Sequence, residues 1–199
     1  MVTATSLHTM CAQCTTSIDD VVTEDSFETP MPLVCFDCLQ VPPRTLSCLH
    51  ALQHFAEQRR LRIYVLSVAG TARSGKSKAQ ALAATRILGR PPRQVFRSAA
   101  GGFEPCTIGV QCMAVLKEDG AKPGIYLLID AEGFSLGDAQ WHPTISSLVT
   151  HVSSVISYFE SGVLNHTSIE ALASLAASHV QMATGAAATS RLPPLLLVL

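Results

Sequence analysis

Short blocks of apolar residues alternate with polar segments along the chain, and these blocks predict alternating strands and helices. A strand is predicted at residues 61–70, where LRIYVLSVAG is aliphatic and β-branched. A helix is predicted at residues 74–88, where SGKSKAQALAATRIL carries apolar residues on several faces. Two further strands are predicted at residues 107–115 (TIGVQCMAV) and 124–133 (GIYLLIDAEG), on either side of the turn-rich LKEDGAKP.

The remaining blocks continue this alternation. Residues 142–151 (HPTISSLVTH) predict a helix, residues 152–159 (VSSVISYF) a fourth strand, and residues 167–182 (TSIEALASLAASHVQM) another helix. Nearer the N-terminus, residues 49–60 (LHALQHFAEQRR) have helical spacing, whereas residues 28–46 hold four prolines and cannot form a long helix. Strands that alternate with helices predict an α/β fold with a mostly parallel sheet and flanking helices.

Composition changes this picture little. Hydrophobic residues make up 48% of the 199 residues and charged residues 15%, with no uncharged run long enough to predict a membrane-spanning helix. The formal net charge of -1 offers no general basic surface for nucleic acid. We expect three parts: a cysteine-rich module with a linker helix at 1–54, an α/β domain at 61–176, and a low-complexity apolar tail at 177–199.

The segment GTARSGKS fits the pattern G-x-x-x-x-G-K-[ST] between a predicted strand and a predicted helix. Backbone N–H groups in such a turn form a donor surface for the phosphates of a nucleotide. We expect Lys76 to reach the β- and γ-phosphates and Ser77 to bind Mg²⁺, because these are the roles of the Lys and Ser in this pattern. The predicted nucleotide-binding loop comprises Gly70, Thr71, Ala72, Arg73, Ser74, Gly75, Lys76 and Ser77. A chance match in a glycine-rich turn is the alternative, and the strand and helix around the motif argue against it. With this motif, the predicted α/β fold is of the P-loop NTPase type, and residues 61–176 are a P-loop domain.

A carboxylate at the end of a second strand completes this kind of site. The apolar run YLLIDAEG ends in Asp130 and is followed by Gly133, a spacing that suits a Mg²⁺-shell carboxylate beside an amide near the γ-phosphate. The alternative is a carboxylate that begins a surface turn.

Four segments in order resemble the guanylate-binding-protein and atlastin branch of the dynamin-like large GTPases. They are GTARSGKS, FEPCTIGV, LLIDAEG and SSVISYFESGVLNHTSIEALASL, and together they extend over about residues 62–175. The resemblance implies Mg²⁺-dependent binding of GTP, hydrolysis to GDP, and a homodimer formed through the G domain.

The resemblance also implies roles for individual residues. Arg73 would be an internal arginine finger that neutralises charge in the transition state, with an exposed loop arginine as the alternative. Lys76 would act with it in catalysis, and Thr107 would be the switch I threonine that completes Mg²⁺ coordination. Asp130 would act through Mg²⁺-bound water, and the Gly133 amide would contact the γ-phosphate.

One departure from the family concerns the nucleotide base. Members select guanine with an Arg-Asp pair on a later strand, and no Arg-Asp pair follows Asp130 in this chain. We therefore expect a G domain that is incomplete at its C-terminus, with an apolar sheet edge and open base specificity. Two alternatives follow: an interaction module fused to a catalytically incomplete GTPase remnant, or an ATPase or small-molecule kinase that shares only the P-loop.

Four of the seven cysteines form two C-x-x-C pairs separated by twenty residues. Cys11, Cys14, Cys35 and Cys38 would supply four thiolates to one tetrahedral Zn²⁺. The alternatives are buried thiols or a redox pair. A closed site of this type has no open position for chemistry, so we expect it to recruit an unknown protein or lipid partner.

Other residues suggest a second zinc site and a cellular compartment. Cys48, His50 and His54 could join His8 in a second zinc site. The first residues lack a basic segment followed by an apolar one, which favours the cytoplasm, where thiols stay reduced, with peripheral membrane contact as an open alternative.

Overall fold

The chain folds into a mixed six-stranded sheet with four helices among the residues that the computed structural model describes. These residues are 27–34, 40–71, 73–96, 110–131, 142–160, 162–163, 166–185 and 194–198. The elements in chain order are β1 (Met31–Val34), α1 (Pro43–Arg59), β2 (Arg62–Gly70), α2 (Lys76–Leu88), β3 (Val110–Lys117), β4 (Gly124–Ala131), α3 (His142–Val152), β5 (Val155–Phe159), α4 (His166–Gly185) and β6 (Leu195–Val198).

The strands lie in the order β1-β3-β4-β2-β5-β6. The strands β4, β2, β5 and β6 are parallel neighbours, whereas β3 is antiparallel to both β4 and β1. Our expectation of a mostly parallel sheet was therefore too simple. Residues 118–123 are too short a connection for the crossover that a parallel β3–β4 pair needs, so the two strands form a hairpin.

Two edge strands were not predicted from the sequence. β1 contains Pro32, which has no N–H to donate, and an edge position is where a sheet tolerates such a residue. β6 lies in what we expected to be a low-complexity tail, and it pairs with β5 in parallel register. Helix α1 begins six residues earlier than predicted, at Pro43, because proline is well tolerated in the first turn of a helix.

Both faces of the central sheet are buried, as the alternation along β3 demonstrates. Cys112 and Ala114 belong to the larger core cluster, which includes Leu52 of α1, whereas Met113 and Val115 belong to a second cluster that includes residues of α2. Successive side chains of a strand point to opposite faces, so the two clusters lie on opposite sides of the sheet. Double burial explains why β2, β3 and β4 are nearly continuous apolar runs.

The segment before β1 contacts α1 on one side of the sheet and the residues that follow α2 on the other. The Phe27 ring lies edge-on to the Phe55 ring of α1, with 5.9 Å between their centroids. The carboxylate of Glu28 accepts two hydrogen bonds from the Arg90 guanidinium, at 2.8 and 2.5 Å, and one from the Arg93 backbone N–H at 3.1 Å. The bond from Arg90 is the main cause of a lowered pKa of Glu28.

The stability of the sheet should depend on Leu128 far more than on Leu82. Leu128 is fully buried in the second cluster, whereas Leu82 on α2 is 62% exposed. We expect Leu128→Ala to lower the free energy of unfolding by about 3 kcal/mol, because truncation leaves a cavity. The control Leu82→Ala should change it by less than about 0.5 kcal/mol in the same urea titration. Equal losses in the two variants would contradict this assignment of the core.

Candidate functional site

The glycine-rich loop lies at the carboxyl ends of three parallel strands. It connects β2 to α2, and Val68 of β2 is in register with Asp130 of β4. Gly70, at the end of β2, is in register with Phe159 of β5. Ligands of open α/β sheets bind in the crevice outside such strand ends.

The loop begins with a close backbone contact that only glycine permits. Gly70 has a φ of 131°, and a Cβ built on it would lie 1.9 Å from the carbonyl oxygen of Phe159. The next residue, Thr71, donates its backbone N–H to that same oxygen at 3.1 Å. The start of the loop is therefore held against the end of β5.

Two residues with positive φ lie in the middle of the loop. Arg73 and Gly75 both have positive φ, at 61° and 88°, and the side chain of Arg73 is exposed. A Cβ on Gly75, the N-cap of α2, would meet no atom of the described residues within 4 Å. The Ser74 hydroxyl donates to the Thr71 carbonyl at 2.8 Å and closes the turn.

Lys76 brings a positive charge beneath this turn. Its side chain is only 7% exposed, and the ammonium group donates to the carbonyls of Gly70 at 3.2 Å and Thr71 at 2.5 Å. Lys76 is also the first residue of α2, where backbone N–H groups and the helix dipole favour an anion. The arrangement is suited to a phosphate group.

The side chains of Ser77 and Asp130 meet beside the loop. The Ser77 hydroxyl donates to Oδ2 of Asp130 at 2.6 Å, and Asp130 is fully buried at the end of β4. A hydroxyl and a carboxylate are hard oxygen donors, the kind that Mg²⁺ prefers. These two side chains therefore fit a magnesium ion bound next to a phosphate.

Gln80 fixes α2 over the sheet and was not among the predicted residues. Its amide nitrogen donates to the backbone carbonyls of Leu66 in β2 and Ile129 in β4, each at 2.9 Å. One buried side chain thus joins two strands to the helix that carries Lys76 and Ser77. The signal available in the sequence was a polar residue one helical turn after the motif.

Glu160 was also missed, although it follows β5 at the same edge of the sheet. It is 6% exposed, and its Oε1 accepts a hydrogen bond from the Thr71 hydroxyl at 2.9 Å. Burial, with a contribution from the charge of Glu160, raises the pKa of Tyr158 to about 12. A polar residue at the carboxyl end of a predicted strand was the signal.

Several predicted ligands lie outside the described residues. They are Ala72, Thr107 and Gly133 of the nucleotide site, and Cys11, Cys14, Cys35, Cys38 and His8 of the zinc sites. Within the part that is described, no three His, Cys, Asp or Glu side chains come together as a metal site.

Cys48, His50 and His54 are described, and they do not form the second zinc site. Cys48 is buried against the sheet, whereas His50 and His54 are exposed. Burial raises the pKa of the Cys48 thiol, and it raises that of the neighbouring Cys112 thiol to about 12. Among the described residues, the side chains of Cys48, His50 and His54 do not come together as a metal site.

None of the helices in the described part of the chain is long and apolar enough to cross a membrane.

Comparison with known proteins gives one family. The family model described as "Guanylate-binding protein, N-terminal domain" matches residues 40–192, which is more than half of the 199-residue chain. No curated protein matches the chain. The family match contains α1 to α4, the glycine-rich loop and Asp130.

The contact at Gly70 gives a direct test of the loop geometry. Gly89, the C-cap of α2, also has positive φ, but a Cβ there would meet nothing within 4 Å. We expect Gly89→Ala to cost about 1 kcal/mol of stability from backbone strain alone. Gly70→Ala should cost more than about 3 kcal/mol, because the end of β5 must also move. Urea unfolding of the two variants measures the difference, and equal costs would contradict the close approach of Gly70 to Phe159.

Proposed function

Because the chain belongs to the guanylate-binding protein family, we propose that it binds GTP and hydrolyses it to GDP in a Mg²⁺-dependent reaction. One observation carries the proposal beyond family membership. Lys76, Ser77 and Asp130 lie at the carboxyl ends of the parallel strands, with the Ser77 hydroxyl 2.6 Å from the Asp130 carboxylate. A nucleotide with a magnesium ion requires an anion site beside oxygen ligands for the metal.

Different groups of the site would bind different parts of the nucleotide. Backbone N–H groups from the loop and the start of α2 would bind the β-phosphate, and the Lys76 ammonium would reach the β- and γ-phosphates. To do so, Lys76 would exchange a carbonyl partner, such as that of Gly70 or Thr71, for a phosphate oxygen. Ser77 and Asp130 would hold Mg²⁺, directly and through water. The metal supplies charge neutralisation on the phosphate oxygens.

Hydrolysis would transfer the γ-phosphoryl group to water, and the chain's part is positioning and neutralisation of charge. Arg73 has positive φ and an exposed side chain, a position from which it could fold over bound phosphates. We assign Thr107 to Mg²⁺ coordination and the Gly133 amide to the γ-phosphate on the basis of the family resemblance. We also propose a homodimer through the G domain, on the same basis.

The decisive experiment measures nucleotide affinity with fluorescent GTP and GDP in Mg²⁺ and in EDTA. Lys76→Ala should weaken binding by about 10- to 100-fold, because it removes hydrogen bonds from a charged group to the phosphates. Lys78→Ala, two residues along α2 and exposed, is the matched control and should change affinity by less than about twofold. EDTA should weaken GTP binding to the wild-type chain.

Three outcomes would count against the proposal. Absence of saturable GTP and GDP binding would leave an interaction protein with an inactive G domain. Equal affinities of the Lys76→Ala and Lys78→Ala variants would place the nucleotide elsewhere. Preference for ATP over GTP would make the chain a different kind of P-loop enzyme.

We further propose that the chain binds one structural zinc ion through Cys11, Cys14, Cys35 and Cys38. The support is the spacing of the two C-x-x-C pairs, which suits a four-thiolate site. Such a site requires reduced thiols, which favours the cytoplasm. Its role would be to recruit a protein or lipid partner.

Metal analysis of the purified chain tests the zinc proposal. We expect about one zinc ion per chain, lost in Cys11→Ser and Cys35→Ser, since each removes one of four ligands. Cys48→Ala is the matched control, because that thiol is buried in α1, and the variant should keep its zinc. Zinc-free wild-type protein, or equal zinc content in all the variants, would overturn the proposal.

A further inference from the structure

A buried carboxylate lies beside the phosphate loop without belonging to the P-loop motif. Glu160 is 6% exposed, and its Oε1 accepts a hydrogen bond from the Thr71 hydroxyl at 2.9 Å. A carboxylate removed from water is costly unless the surrounding groups compensate it. A hydrogen bond to a charged acceptor is also stronger than one between neutral groups, so this contact is well suited to fix Thr71.

Thr71 is bonded at every polar atom that it has. Its N–H donates to Phe159 O at 3.1 Å, and its hydroxyl donates to Glu160. Its carbonyl accepts from the Ser74 hydroxyl at 2.8 Å and from the Lys76 ammonium at 2.5 Å. Thr71 is therefore the residue through which the end of β5 is connected to the loop.

The position of Lys76 depends on that connection. Its ammonium group donates to the carbonyls of Gly70 and Thr71, at the start of the loop. Displacement of Thr71 would move the acceptors and, with them, the charge that a phosphate would meet. The effect of Glu160 on the site would thus pass through Thr71 to Lys76.

Glu160 is itself held in place by the outer strand. Its backbone N–H donates to Val198 O of β6 at 3.0 Å. Tyr158 of β5, two residues before Glu160, is fully buried. Backbone and side chain of Glu160 therefore join β6 and β5 to the phosphate loop.

The geometry points to Glu160 as a positioning residue of the phosphate loop, which acts through the Thr71 hydroxyl to set the place of Lys76. The inference rests on the proposed nucleotide function for its effect on affinity, but not for its effect on the loop itself. The relevant property of Glu160 is the hydrogen bond that it accepts. A glutamine, which keeps an acceptor oxygen and loses the charge, should therefore replace it.

The test uses the full chain with substitutions at both ends of the hydrogen bond. Glu160→Ala and Thr71→Val remove the acceptor and the donor, and each should weaken GDP binding by about tenfold, the value of one hydrogen bond to a charged group. Glu160→Gln keeps the bond and should stay within about threefold of wild type. The double variant Thr71→Val/Glu160→Ala should bind GDP as each single variant does, because both remove the same interaction.

Hydrogen exchange gives a readout that needs no nucleotide. Peptides that cover residues 70–77 should exchange about tenfold faster in Glu160→Ala and Thr71→Val, because the loop opens locally more often. Peptides from β3 and β4 should exchange as in wild type, which a general loss of stability would not allow.

The outcomes separate this inference from the proposed function. Faster loop exchange in a chain that binds no nucleotide would support the role of Glu160 and overturn the GTPase proposal. Wild-type exchange and wild-type affinity in Glu160→Ala would overturn the role of Glu160 and leave the GTPase proposal standing. Tighter GDP binding in Glu160→Gln would also overturn it, because the charge would then oppose phosphate more than the hydrogen bond helps.

Discussion

The close approach of Gly70 to the carbonyl oxygen of Phe159 is the constraint on which the candidate site depends. Two parallel strands, β2 and β5, end side by side, and their backbones come so near that a Cβ would stand 1.9 Å from an oxygen. The contact determines where the loop leaves the sheet. The positions of Thr71, Lys76 and the first turn of α2 follow from that exit point.

Apolar packing between α2 and the sheet supports this polar site. α2 packs on the face of the sheet formed by Met113, Val115 and Leu128, and Gln80 bonds it to two strands. Because protein interiors are close-packed, the helix has little freedom to shift over that face. Ser77 and Asp130 can therefore meet at hydrogen-bond distance even though they are 53 residues apart in sequence.

The parts of the fold that the sequence predicted are those encoded by local patterns. β2, α2 and β4 have apolar runs or helical periodicity of their own, and the loop between β2 and α2 has a motif that fixes its residue types. The antiparallel direction of β3 was available in principle, since LKEDGAKP is short enough to make a hairpin.

The unpredicted parts depend on contacts between distant residues. β1 and β6 are short edge strands whose signals are weakened by proline in one and by low-complexity surroundings in the other. The pairing of Thr71 with Glu160 joins residues 89 positions apart, and no local pattern specifies it. Of the candidate site, the sequence predicted Lys76, Ser77 and Asp130, but not Gln80 and Glu160, whose side chains bond to the strands and the loop around them.

Glu28 gives α2 a second point of attachment, at the end opposite the phosphate loop. The helix has 13 residues, which makes a rod of about 20 Å, with Lys76 at its beginning and Arg90 two residues beyond its end. The Arg90 guanidinium is bonded to the Glu28 carboxylate, just before β1. α2 is thus held at its beginning by the loop and beyond its end by this ion pair, which ties the helix to the segment that enters the edge strand β1.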